Sequence, residues 1–151
     1  MTDLTHVDSG GRARMIDVGP KTPQRRTARA AGSISLGEKT IQLIGENQVK
    51  KGDVLTTAQL AGIQAAKKTP ELIPLCHPLL LDKVDVDVRL EQDGVSVLSE
   101  VSCVGRTGVE MEALTAVSVA LLTIYDMCKA VDKQMVLDHV RLMEKQKEDL
   151  V

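Results

Sequence analysis

The sequence predicts an α+β sandwich with helices on one face of a mainly antiparallel sheet, and three observations carry that expectation. Two alternating runs, Lys83 to Glu91 and Val95 to Val104, flank Gln92-Asp93-Gly94, the composition of a hairpin turn. From about Glu112 to Cys128 the apolar residues go nearly all the way round a helix, the pattern of a buried rather than a surface helix. The order of signals along the chain, strand, strand, helix, helix, hairpin, long helix, strand, fits helices gathered on one face of a sheet. At 151 residues and 43% hydrophobic, the chain has the size of a single domain spanning 1–151.

Taken in order, Met1 to about Gly11 is rich in Ser, Gly, Thr and Asp and reads as a mobile arm. Arg14 to Val18 is a candidate short strand. After Gly19-Pro20, the stretch Lys21 to Leu36 is ambiguous between helix and strand. Arg25, Thr27 and Arg29 alternate with small residues and Ile34 and Leu36 follow at period two, which favours an extended strand with an arginine-lined face. Gly37 to Glu46 fits a helix of two to three turns ending near Gly45 or Asn47. The next helix follows Lys50-Lys51-Gly52, takes Asp53 or Thr56 as its N-cap, and runs through small residues to Lys67 and Lys68. Pro70 and Pro74 bracket one turn before the loop Leu75-Cys76-His77-Pro78, which two prolines pin. The hairpin and the long helix of Gly105 to Asp132 come next. Met135 to Glu144 is a candidate closing strand, and 145–151 reads as a frayed, charged end.

Composition narrows the function classes. With one Tyr and neither Phe nor Trp, the core is aliphatic and stacking platforms for single-stranded nucleic acid are excluded, so no nucleic-acid partner is expected. A formal charge of −2 and a pI near 5.9 leave anion binding to local basic clusters. Cys76, Cys103 and Cys128 are odd in number and form no Cys-x-x-Cys pair, which implies reduced thiols, no metal site and a cytoplasmic location. Apart from the long helix no run approaches membrane-spanning length, and the polar start has no apolar signal region, so no membrane partner is expected.

The candidate chemistry sits at the two ends of the long helix. Glu110 and Glu112 stand at its start, while Asp126 and Lys129, three apart, share a face near its end. A rise of about 1.5 Å per residue puts Glu112 and Asp126 roughly 21 Å apart. One small reacting centre cannot touch both, so the helix serves either an extended ligand or a site completed by a symmetry mate, which predicts an oligomer. Lys51 precedes Gly52 and a helix N-terminus, where backbone donors favour an anion. Lys129 follows Cys128, where partial burial would lower its pKa and suit it to proton transfer; the competing account is a helix-capping lysine paired with Asp126. His77 is either a proton shuttle or partner of a heterocycle, or a histidine satisfied by backbone. The two glutamates, being two apart, meet one ligand only if the preceding turn is extended, and otherwise favour the helix N-terminus. Cys76 and Cys128 read most simply as small buried apolar residues.

The segments LTHVDSGGRARMIDV, KKGDV, AGIQAAKKT, LIPLCHPL, GVEMEALTA and TIYDMCKAVDK, in this order and spacing between Leu4 and Glu144, resemble the cyclic pyranopterin monophosphate synthase family, accessory protein C of molybdenum-cofactor biosynthesis. The resemblance implies a ferredoxin-like α+β fold. It also implies a homohexamer, a trimer of dimers with active sites at subunit interfaces, and a lyase that needs no resident cofactor, a divalent cation with the triphosphate being the one candidate. Its reaction would convert the 3′,8-cyclised dihydro form of GTP into cyclic pyranopterin monophosphate and diphosphate. By the same resemblance Leu75, Cys76, His77, Glu110, Met111 and Glu112 contact substrate, Asp126 is catalytic, Lys51 and Lys129 handle protons, and Arg26 and Lys67 meet the triphosphate. Two positions depart from the pattern. Arg106 stands where a lysine is expected, and the chain ends EKQKEDLV instead of in a glycine- and lysine-rich tail. That ending raises the alternative of a nucleotide-binding or assembly subunit with little turnover.

Overall fold

The computed structural model describes residues 5–151; Met1 to Leu4, part of the expected N-terminal arm, lie outside the described residues. Eight elements follow: β1 (Gln24–Ser35), α1 (Glu38–Gly45), α2 (Val54–Lys67), the single turn α3 (Thr69–Leu72), β2 (Lys83–Leu90), β3 (Gly94–Gly105), α4 (Glu110–Cys128) and β4 (Val136–Glu148). The strands form one sheet in the order β2-β3-β1-β4, and every pair is antiparallel. With α2 and α4 packed on one face, this is a ferredoxin-like α+β fold.

The stretch that was ambiguous between helix and strand is a central strand, because both its edges are paired. Gln24 to Ser35 matches Gly105 to Gly94 residue for residue on one side, and β4 on the other. Its alternate residues Ala28, Ala30 and Ile34 are buried under α4, and small side chains there let the helix come close. On α4, Ala113, Ala116, Val117, Ala120, Leu121, Ile124 and Cys128 have essentially no exposed surface. This helix is long and apolar enough to cross a bilayer, yet it is the core helix of the domain, held between the sheet and α2. Gly62 makes the α2 contact possible, since a Cβ there would meet the Ala116 carbonyl at 3.0 Å. That contact, with Lys51 near the end of α4 and α3 near its start, makes α2 antiparallel to α4.

Caps define the shorter elements. Asp53 is the N-cap of α2, accepting from Thr56 N at 3.1 Å. Asn47, at φ 52°, ends the α1 region in the left-handed conformation that asparagine tolerates. Asp132, just after α4, is buried and accepts from Gly37 N at 2.8 Å and Thr40 Oγ1 at 2.9 Å, so it caps α1 from 95 residues away. These bonds hold the Asp132 carboxyl below the ordinary range, the Gly37 N–H being the main cause.

Two expectations need correction. Arg14 to Val18 is not a strand; among the described residues only the Val7 and Ala13 bridge precedes β1, and the Ile16 carbonyl is taken by a side chain rather than a ladder. The end of the chain is not frayed from Lys145, because β4 stays paired to β1 as far as Glu148 opposite Arg25. Charge made that segment look solvated, and its side chains are indeed exposed, but an edge strand is ordered by its backbone pairing and not by burial of its side chains.

Candidate functional site

The side chains singled out at the start of α4 converge on a cavity of about 360 Å³. Three segments build it. The loop after α3 supplies Leu75, Cys76 and His77; the turn before α4 and its first residues supply Thr107, Gly108, Glu110, Met111 and Glu112; and the chain before β1 supplies Ile16, Val18 and Lys21. Within the loop, the Cys76 N–H returns to the Ile73 carbonyl at 3.1 Å, and Pro74 between them fixes the backbone.

His77 Nε2 lies 2.6 Å from the Ile16 carbonyl. A carbonyl only accepts, so Nε2 carries hydrogen and, in the neutral ring, Nδ1 is left as an acceptor. The backbone-satisfied histidine and the functional one are thus the same residue, one nitrogen for each role. Glu112 is 3% exposed on the cavity wall. Burial pushes its carboxyl pKa up and the neighbouring Glu110 adds to the rise. Burial, then the Glu112 charge, push the Cys76 thiol up in turn, which favours its neutral form.

Glu110, besides lining this cavity with Glu112, pairs with Lys145 on β4 at 3.3 Å. Its carboxyl folds against Gly108, where any Cβ would collide with it. Glu110 and Gly108 also border a second cavity, of about 220 Å³, whose cations are Arg26, Lys145 and Lys147. The Arg26 Nε is buried with no hydrogen-bond partner among the described residues, and its terminal nitrogen donates to the Arg106 carbonyl at 3.5 Å. Arg106 itself donates to the Lys21 carbonyl at 3.1 Å, tying the turn before α4 to the chain before β1.

At the other end of α4 lies a separate cluster. Lys51 Nζ is 2.8 Å from Asp126 Oδ2 and Lys129 Nζ is 2.9 Å from Asp126 Oδ1. Hydrogen bonds from Lys51 and then Lys129 hold the Asp126 pKa down at about 2. The expectation of a lysine pKa lowered by burial is overturned: the Lys129 side chain is 58% exposed, and its bond to Asp126 pushes its pKa up. The Asp126-paired account of Lys129 is the one found. Lys67 joins neither group, standing exposed in the last turn of α2.

Sequence reasoning missed His6, Ile16, Val18 and Lys21 on the first cavity and Lys145 and Lys147 on the second. The period-two spacing of Lys145 and Lys147 was a usable strand signal; the others reach the cavity only through tertiary structure. Between the two ends, α4 turns an exposed stripe of Met111, Leu122 and Tyr125 outward, and Leu60 of α2 is 61% exposed.

Comparison with known proteins gives a consistent result. A family model described as MoaC family matches residues 15–148. A protein of Novosphingobium aromaticivorans named cyclic pyranopterin monophosphate synthase is 59% identical over 145 residues, 96% of this chain and 92% of its own. One of Roseiflexus sp. (strain RS-1), with the same name, is 56% identical over 147 residues, 96% of this chain and 93% of its own. The Drosophila melanogaster protein named molybdenum cofactor biosynthesis protein 1 is 57% identical over 146 residues, which are 95% of this chain but 26% of that longer protein.

Proposed function

Because the chain belongs to the MoaC family, we propose that it is a lyase of molybdenum cofactor biosynthesis acting as a cyclic pyranopterin monophosphate synthase. Its small-molecule substrate is the 3′,8-cyclised dihydro form of GTP, and diphosphate is the second product. The observation behind this is that the residues matching the family's substrate positions, Leu75 to His77 and Met111-Glu112, line one cavity, while Lys51, Asp126 and Lys129 make one cluster.

The first cavity suits an aminopyrimidinone. An ionised Glu112 accepts from two N–H donors of such an edge, and those donors offset the burial that raises its pKa; His77 Nδ1 offers a further acceptor. Lys129 and Lys51, which share the Asp126 carboxylate, serve as general acids and bases while Asp126 stays ionised. Arg26, beside the second cavity, offsets charge on the leaving diphosphate, and Lys67 meets the triphosphate only in an assembled oligomer. Ring opening, ring closure and phosphoryl substitution involve no redox change, so acids, bases and cations suffice without a resident cofactor.

The chain works as a homohexamer, a trimer of dimers, in the cytoplasm. Support for shared sites comes from the roughly 21 Å between Glu112 and Asp126 along α4. Two uncovered surfaces support it as well, the Met111, Leu122 and Tyr125 stripe with Leu60, and the sheet face opposite the helices. The decisive experiment is diphosphate release on incubation with the cyclised substrate. Turnover is expected; a chain that binds the substrate and releases no diphosphate is the low-turnover nucleotide-binding subunit instead.

A further inference from the structure

Asp126 and Asp132, on either side of the end of α4, hold the two ends of one segment. Asp132 Oδ2 accepts from Gly37 N at 2.8 Å and Thr40 Oγ1 at 2.9 Å, where the segment begins, and Asp126 Oδ2 accepts from Lys51 Nζ at 2.8 Å, where it ends. Between them lies α1, which has little else to fix it: of its eight residues only Thr40 and Ile44 are buried, and its N-cap, Gly37, has no side chain to cap with. Asp132 supplies the missing acceptor from a fixed place. It is 8% exposed, its Oδ1 accepts from Gln134 N at 3.1 Å, and its own N–H returns to the Cys128 carbonyl at 3.0 Å. From α1 to Lys51 the backbone is bonded in turn: Asn47 N donates to the Ile44 carbonyl at 3.0 Å and Gln48 N to the Leu43 carbonyl at 2.8 Å. Val49 is buried in the core, and its carbonyl accepts from Gly52 N at 2.9 Å, closing a turn that contains Lys51. A displacement of α1 is therefore passed on to Lys51 instead of being absorbed by a loose loop.

We infer that Asp132 is a positioning residue for the Lys51, Asp126 and Lys129 cluster: by fastening the start of α1 to the end of α4, it sets where Lys51 stands over Asp126. The inference rests on the function proposed above and adds to it a residue that touches no reacting group. The competing role is plain capping, in which loss of Asp132 lowers stability and leaves Lys51 where it is. The two roles differ at Lys51, not in the melting temperature.

Competitive acylation of the full-length protein, read at each lysine by mass spectrometry, separates them. The Lys51 amine is tied to the Asp126 side chain and carbonyl, and exposed Lys50 beside it is the internal reference. Asp132→Ala is expected to raise the labelling of Lys51 relative to Lys50 roughly threefold or more, as those hydrogen bonds loosen. At a temperature where both proteins are folded, it is expected to lower kcat about tenfold or more, with KM within about twofold of the parent. Added to Lys51→Gln, the same change is expected to cost less than about twofold in kcat, because the residue it positions is gone. An unchanged labelling ratio, an unchanged kcat, or a full further loss on the Lys51→Gln background overturns the inference, whatever the melting temperature does. Should Asp132→Ala fail to fold, Thr40→Val, which removes one hydroxyl from the same contact, is read in the same way: the ratio rises or the inference fails. If the parent protein releases no diphosphate from the cyclised substrate, the proposed function fails instead, and the labelling ratio still decides the role of Asp132.

Discussion

Lys51 Nζ lies 2.8 Å from Asp126 Oδ2 and 3.1 Å from the Asp126 backbone carbonyl, so a residue from the loop before α2 closes the end of α4 across 75 positions of chain. The pair is about half exposed on both sides, and exposed pairs contribute little to stability. Asp126→Asn is therefore expected to melt within a few degrees of the parent while losing roughly a hundredfold or more in turnover. The pH dependence has a defined sign. With the Asp126 pKa held at about 2, the pairing is present above the ordinary carboxylate range and lost only as pH falls through about 2, so Asp126 does not produce an acid limb near pH 5. Near-parent turnover by Asp126→Asn contradicts its assignment.

Glu112 has the opposite sign. Its raised pKa means that the folded protein holds this proton more tightly than the unfolded chain does, so its favourable contribution is complete below the unfolded value and disappears as pH rises through the folded one. Glu112→Gln is thus expected to raise the melting temperature, by an amount that grows with pH, while lowering kcat/KM. In the parent, KM is expected to fall as pH rises through the Glu112 value, because ligand N–H groups favour the ionised form. Thermal scans and KM measurements across pH 5 to 9 check both; a Gln variant whose gain in melting temperature over the parent shrinks as pH rises contradicts the burial account.

Mixing subunits tests whether sites are shared. Asp126→Asn and Glu112→Ala chains are each expected to be inactive alone. If every site takes one half from each of two subunits, random reassembly of an equal mixture makes both halves intact in about a quarter of sites. Activity near a quarter of the parent's is expected after mixing and refolding. No recovery, with mixed oligomers demonstrated by mass, places each site within one subunit.

At Gly94, which opens β3, a Cβ would collide with the Ile34 backbone carbonyl of β1, and backbone cannot swing aside. Gly94→Ala is expected to destabilise by about 3 kcal/mol, roughly 6–12 °C in melting temperature. A denaturation series measures this, and a loss below about 1 kcal/mol argues that the β1 and β3 register can shift.

What the sequence made legible was whatever is local. The Gln92-Asp93-Gly94 turn and the α2 cap, Asp53 of the two candidates Asp53 and Thr56, are written in consecutive residues; α4 is the core helix expected, but it is not buried all the way round, since Leu122 and Tyr125 lie on its exposed side. The resemblance located Lys51, Asp126 and Lys129, and the spacing of three offered the Asp126 and Lys129 pair, but not that Lys51 would share the same carboxylate, since that depends on a loop 75 residues away. Lys21 and Ile16 were silent because nothing near them in the chain marks a cavity; Ile16 matters through its carbonyl, which every residue has. Lys145 to Glu148 was misread because its charge outweighed its alternation, whereas the free edge of β1 decided the matter.

The buried body of α4 also limits how this chain can vary in length. One residue inserted between Glu112 and Asp126 would move one end about 1.5 Å and turn it about 100° against the other, swinging core side chains into solvent. Loops can absorb insertions and deletions, but this helix acts as a gauge of fixed length. Homologous chains that share the chemistry are therefore expected to keep the count of residues between those two carboxylates unchanged, even where every apolar side chain between them has been exchanged.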